Sequence, residues 1–197
     1  MFVEIKKVIE KNFENFEFRS SNAKIWEETL NNIDYVPIDY TNEIINYREK
    51  YLGEKNNNFY DTSIIIYKEK TPIALWAFSI SYSKFYEISC FGRELKGPLF
   101  VRNCSDEEKL KICKRIYSLL NDMQSILKFS MKVTAMQNKE DKFWLEICKK
   151  NFYKSNNETV SNFCLKLDSP KEITKYFRPV YRNYYNRWKK NKYSGYN

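Results

Sequence analysis

The chain contains no histidine among its 197 residues. That absence excludes a Ser-His-Asp or Cys-His arrangement, an imidazole general base and most catalytic zinc sites. Acid–base work must fall to Glu, Asp, Lys, Tyr or a group on the substrate. Glycine (4) and proline (5) are scarce, which argues against a loop-rich or turn-punctuated repeat fold. No internal repeat and no heptad array is present. Long apolar runs are missing too; the longest lies around Ile73–Phe78, far short of a membrane span. The N-terminal stretch MFVEIKKVIEKNFENF carries acids and no long apolar centre, so it does not read as a secretory signal. The cysteines Cys90, Cys104, Cys113, Cys148 and Cys164 are odd in number, scattered and without a CxxC pair. They read as structural thiols in a reducing compartment, and the expected location is the cytoplasm.

What is abundant is apolar and aromatic: 43% and 17% of residues, enough to build a sizeable core in one domain with an appendage. The charge is unevenly spread. Residues 170–197 hold eight Lys or Arg against one Glu, a net +7 out of the chain's formal net charge of +9. The stretch Ser169–Lys190 is organised as one helix. Ile173, Tyr176, Phe177, Val180, Tyr181, Tyr184, Tyr185 and Trp188 recur at the spacing of one helical face. Ser169 can cap it, Pro170 suits its first position, Glu172 completes a capping box, and Pro179 kinks it. The aromatic face would dock on the body or on a partner, and the basic face would meet an anion.

Upstream, residues 1–18 read as an amphipathic helix with Phe2, Ile5, Val8, Ile9, Phe13 and Phe16 on one side. Ala23–Asn31 is a second helix, capped from Ser20–Asn22, and Thr41–Leu52 a third, ended by Gly53. Between them, Tyr35–Ile38 is a short extended piece. The period then changes. Thr62–Lys68 and Thr71–Tyr82 form a hairpin about Glu69-Lys70, followed by strands at Phe85–Phe91 and Leu99–Val101. Ser105 caps a long helix reaching about Leu127, with acids in its first turn. A strand at Phe129–Met136, a helix at Lys139–Phe152 and a strand at Thr159–Leu167 complete the order. The expected class is α+β (α/β): a mixed sheet in which an antiparallel meander is followed by β-α-β-α-β crossovers. N-terminal helices and a basic aromatic C-terminal helix flank it. That order is the pattern of the GNAT-type acyltransferase fold, with residues 1–168 as the domain, 169–190 as the helix and 191–197 as a flexible tail.

Three stretches resemble the FemAB-like (FemABX) branch of that fold, as found in bacterial surface-carbohydrate gene clusters. They are TSIIIYKEKTPIALWAF, GPLFV at Gly97–Val101, and FCLKLDSPKEITKYFRPVYRNYYNRW. In the last, Phe177, Arg178, Tyr181 and Arg182 match a Phe-Arg-x-x-Tyr-Arg/Lys pattern. The resemblance implies a GNAT-like domain that transfers an acyl group, typically aminoacyl from a charged tRNA, to an amine on a cell-envelope or surface-polysaccharide precursor. It also implies a lone first half of a usually two-domain protein, with a second GNAT-like domain or a homodimer through the C-terminal helix as partner. The CoA-binding members of the fold use a Gly-rich turn before the long helix. Val101–Ser105 contains no glycine, so a standard CoA site is not expected, and the co-substrate would be an aminoacyl-tRNA or another acyl donor.

Arg178 and Arg182, one turn apart, could clamp a phosphate or diphosphate; an ordinary solvated face is the plain alternative. Tyr181 lies between them in sequence, toward the aromatic side. Arg93 and Lys96 flank the loop before Gly97-Pro98, where the mouth of the splayed sheet should lie. These five residues are the candidate substrate contacts, for a nucleotide-sugar, a lipid-diphosphate or an aminoacyl-tRNA. Asp61, Glu87 and Glu94 are the carboxylates nearest the sheet centre, and nothing in their spacing selects a base among them. Cys90 reads as an interior thiol, and Trp26 as a packing residue. Two other functions stay open: a non-catalytic binding module, and a small RNA-binding protein using the basic tail.

Overall fold

Three consecutive isoleucines set the layering. Ile64, Ile65 and Ile66 are all buried, although successive strand side chains point to opposite faces. Both faces of the sheet are therefore covered. The computed structural model describes residues 2–55, 58–82, 84–127, 129–134 and 141–151, all within one unit spanning Met1–Ser155.

On one face, Ile64, Ile66, Trp76 and Phe78 pack with α1 (Phe2–Asn12), α4 (Asp106–Leu127) and α5 (Lys142–Asn151). On the other, Ile65, Leu75 and Ala77 pack with Trp26 and Leu30 of α2 (Ala23–Leu30) and Ile45 of α3 (Asn42–Lys55). Each buried isoleucine contributes roughly 1.5–3 kcal/mol.

The strands are β1 (Phe16–Phe18), β2 (Phe59–Asp61), β3 (Ile64–Lys68), β4 (Thr71–Trp76), β5 (Ser79–Tyr82), β6 (Tyr86–Ser89), β7 (Leu99–Phe100) and β8 (Ser130–Met131). They pair in the orders β1-β3-β4-β7 and β2-β5-β6-β8. The strands β2 and β3 are successive halves of one bent strand, and β4 and β5 halves of its hairpin partner. At the bend, the Thr62 amide and hydroxyl both donate to Phe78 O at 3.1 Å, and the Phe78 amide donates to Ser63 Oγ. All pairs are antiparallel except β6 with β8, which α4 joins as a parallel crossover. This is the expected α+β meander followed by a crossover. The second crossover strand (159–167), the basic helix (169–190) and the tail lie outside the described residues. No helix among the described residues is long and apolar enough to cross a membrane.

Two expectations need correction. The first helix stops at Asn12, and Phe16–Phe18 leaves it to pair with Ile64–Ile66 as an edge strand. Helix α3 does not stop at Gly53 but runs to Lys55. Gly53 keeps a helical φ with open space around it, so its cost stays near the ~1 kcal/mol of an exposed helical glycine. Residues 35–37 form no helix and pair with no strand, Pro37 is extended as expected (φ −60°, ψ 140°), and Ile38 already belongs to a 3-10 turn, Ile38–Tyr40.

Candidate functional site

The strand after β6 changes neighbours within a few residues. The Leu95 amide donates to Lys132 O at 2.7 Å, and the Thr134 amide donates to Leu95 O at 2.9 Å. By Leu99 the chain pairs instead with Leu75 of β4. Lys96-Gly97-Pro98 makes the crossing, and Pro98 has no amide to offer a ladder. Aromatic donors hold the freed carbonyls. Trp76 Nε1 donates to Lys96 O (2.9 Å), Tyr40 Oη to Gly97 O (2.6 Å) and Trp144 Nε1 to Thr134 O (3.1 Å). Trp26, fully buried as expected, donates through Nε1 to Tyr40 O at 2.7 Å. Burial keeps the Tyr40 hydroxyl well above its ordinary pKa, so it remains a donor. Gly97 packs directly on Trp144: a Cβ there would sit 2.5 Å from Cγ of the indole.

A cavity of about 30 Å³ opens where the two strands separate. Ile33, Tyr35, Pro37, Tyr40, Pro98, Leu99 and Phe100 form its mostly apolar wall, with Lys96, Thr134 and Asp141 as its polar side. That volume suits a group of two or three heavy atoms.

Beside the cavity stands a buried carboxylate. The Asp39 side chain is 3% exposed and meets three cations: Lys96 Nζ at Oδ2, Arg48 Nη2 at 2.6 Å from Oδ1, and Arg93 Nη1 at 3.7 Å from Oδ1. Burial alone would raise its pKa; Lys96 and Arg48 outweigh that and hold it below the ordinary value. Of the two expected contacts in this region, Lys96 therefore lines the cavity with its charge already engaged, while Arg93 stays 59% exposed at the edge of the cluster. Arg178, Tyr181 and Arg182 lie outside the described residues.

A tight turn, Cys90–Arg93, presents Arg93. The amides of Cys90 and Arg93 donate to each other's carbonyls, and Phe91 (φ 52°) and Gly92 (φ 77°) are both left-handed. Glycine adopts that backbone freely; Phe91 does so at a cost of ~1 kcal/mol or more. Two buried hydroxyls fix the turn: Ser79 Oγ accepts from the Phe91 amide and Ser89 Oγ from the Gly92 amide. Burial and then the charge of Asp39 push the Cys90 thiol up to about 12, so it is no nucleophile near neutral pH.

Asp61 is not available as a base. Its Oδ2 accepts from Arg19 Nε at 2.8 Å and its Oδ1 from the Ser63 amide at 2.9 Å, deep beneath α3. Glu87 and Glu94 are exposed. The N-terminus of α4 is satisfied internally: Ser105 Oγ accepts from the Glu108 amide at 3.3 Å, and Asp106 holds Lys142 at 2.8 Å. Three acids in that first turn leave a poor seat for a pyrophosphate. Among the described residues no group of three or more Cys, Asp or Glu could hold a metal ion. The sequence reading missed Asp39, Tyr40 and Arg48. A carboxylate set in the apolar run Val36-Pro37-Ile38 was the available signal for the first.

No family model matches the sequence, and no curated protein matches it. Among solved structures, an aminoglycoside antibiotic 6'-N-acetyltransferase from Acinetobacter haemolyticus, in its apo form, is similar at 13% identity and a TM-score of 0.39. The match covers 78% of this chain and 99% of that one.

Proposed function

We propose that the chain is a GNAT-type, FemAB-like N-acyltransferase domain whose reaction centre is the cavity at the strand separation. The observation that carries this reading is an apolar cavity of about 30 Å³ opening where Lys96–Pro98 leaves its parallel neighbour. The volume suits an acetyl group, or the reacting carbonyl and α-carbon of a glycyl or alanyl group. In the reaction, the lone pair of an amine attacks the carbonyl carbon of an ester or thioester. The new C–N bond forms as the C–O or C–S bond breaks, and the amine proton leaves with the departing alcohol or thiol. No histidine is needed if the amine arrives as its free base, because positioning alone supplies on the order of 7 kcal/mol or more.

The internally capped, acidic start of α4 favours a donor other than CoA, such as a small aminoacyl-tRNA. The acceptor would be an amine on a cell-envelope or surface-polysaccharide precursor, with Arg178, Tyr181 and Arg182 on its anionic part. The test is transfer of labelled glycyl or alanyl groups from tRNA, with acetyl-CoA alongside, to amine-bearing nucleotide sugars and lipid-diphosphate precursors. Transfer by the natural chain that is lost in Leu99→Trp, which fills the cavity, supports the reading. A folded chain that transfers nothing from any donor would overturn it in favour of a binding module.

A further inference from the structure

We propose that Arg48, Arg93 and Lys96, gathered on Asp39, form a binding site for a phosphate-type dianion. The argument begins with charge. One buried carboxylate faces three cations, and no other carboxylate among the described residues pairs with any of them. The four side chains of the cluster carry a surplus of two positive charges, which Asp141, on the same cavity wall as Lys96, offsets in part. One cation would have sufficed to keep Asp39 ionised. A second, largely buried guanidinium is a cost unless something shares it.

The second observation is an unanswered donor. Arg48 is 13% exposed, and its Nη1 is buried with no hydrogen-bond partner, as is Oδ1 of the Asp39 carboxylate that its Nη2 meets at 2.6 Å. Buried donors nearly always have partners. Arg93 supplies the other jaw. At 3.7 Å its Nη1 is too far from Asp39 Oδ1 for a hydrogen bond, and more than half of its side chain is in solvent. Arg48 Nη2 and Arg93 Nη1 both approach the same carboxylate oxygen, so they are at most 6.3 Å apart. An oxyanion set beside that carboxylate, rather than between the two nitrogens, would take charge-assisted hydrogen bonds from Arg48 Nη1 and from Arg93.

The scaffold suits a site of this kind. The strained turn at Phe91, tied by Ser79 and Ser89, fixes where Arg93 leaves the sheet. Lys96 belongs both to this cluster and to the cavity wall, so a phosphate held here places the rest of its molecule at the cavity mouth. The ligand class is a phosphate monoester or a diphosphate. The inference does not depend on acyl transfer, and binding tests it without turnover.

The experiment is calorimetric titration of the full chain with inorganic pyrophosphate, inorganic phosphate and acetate at low and moderate salt. We expect saturable binding of one pyrophosphate, with acetate far weaker. Arg93→Ala, at an exposed position that leaves the fold intact by circular dichroism, should weaken binding tenfold or more, the size of a lost charged hydrogen bond. Lys114→Ala, on the exposed face of α4, should leave it unchanged. Absence of saturable binding would overturn the proposal. So would an Arg93→Ala variant that binds like the natural chain, or equal losses in Arg93→Ala and Lys114→Ala, which would mean diffuse attraction to a basic surface.

Discussion

Replacing Gly97 by alanine tests whether the strand crossing is as tightly built as its distances say. The added Cβ would lie 2.5, 2.6 and 2.8 Å from Cγ, Cδ1 and Cβ of Trp144. The indole cannot step aside cheaply, because it is 1% exposed and its Nε1 holds Thr134 O. The other way to relieve the clash moves Gly97, whose carbonyl accepts from Tyr40 and whose neighbour's carbonyl accepts from Trp76. Overpacking a tight site costs about 1–3 kcal/mol, and each displaced hydrogen bond about 1 kcal/mol. We expect Gly97→Ala to destabilise by about 2–4 kcal/mol in urea unfolding, lowering the midpoint without changing the slope. In a Trp144→Ala background the two shortest contacts vanish. The same substitution should then cost about 1–2 kcal/mol less, a coupling within the range for touching residues. A cost below about 0.5 kcal/mol in the natural chain, or full additivity with Trp144→Ala, would refute the argument.

Arg19 is 3% exposed and bonded to Asp61, Asn42 and Asn46; removing it as Arg19→Ala strands a buried carboxylate and should cost about 3–5 kcal/mol by thermal or urea unfolding. A smaller loss than that of an exposed pair such as Lys24 with Glu28 would contradict the assignment. Asp39 has a depressed pKa in the folded chain, so its contribution to stability is present above the unfolded value of about 3.9 and is lost as the pH falls through the lower folded value. The fall in stability between about pH 5 and pH 2 should therefore be shallower in Asp39→Asn than in the natural chain, measured by urea midpoints; parallel curves would exclude Asp39 as a contributor.

Much of the fold was legible because its signals are local. The acids and Ser105 that open α4, the Asn22 cap whose side chain accepts from the Ile25 amide, and the turn at Glu69-Lys70 each act within a few residues. The run TSIIIYKEKTPIALWAF read as a hairpin because β-branched residues flank a charged turn. The site was only half legible. Gly97-Pro98 and its flanking cations drew attention to the loop that lines the cavity, but nothing in their spacing pointed to Asp39.

Sequence alone determined the composition, the missing imidazole, and the long helices and the central hairpin with their order along the chain. Tertiary structure decided which residues share a place. Asp39 meets Lys96 across 57 positions of chain, and Phe16–Phe18 becomes a strand only because Ile64–Ile66 offers an open edge. The periodicity of a helix or strand is set by neighbouring residues and can be read along the chain. The balance of a buried charge depends on strand register and helix docking, which bring distant residues together only once the core has formed.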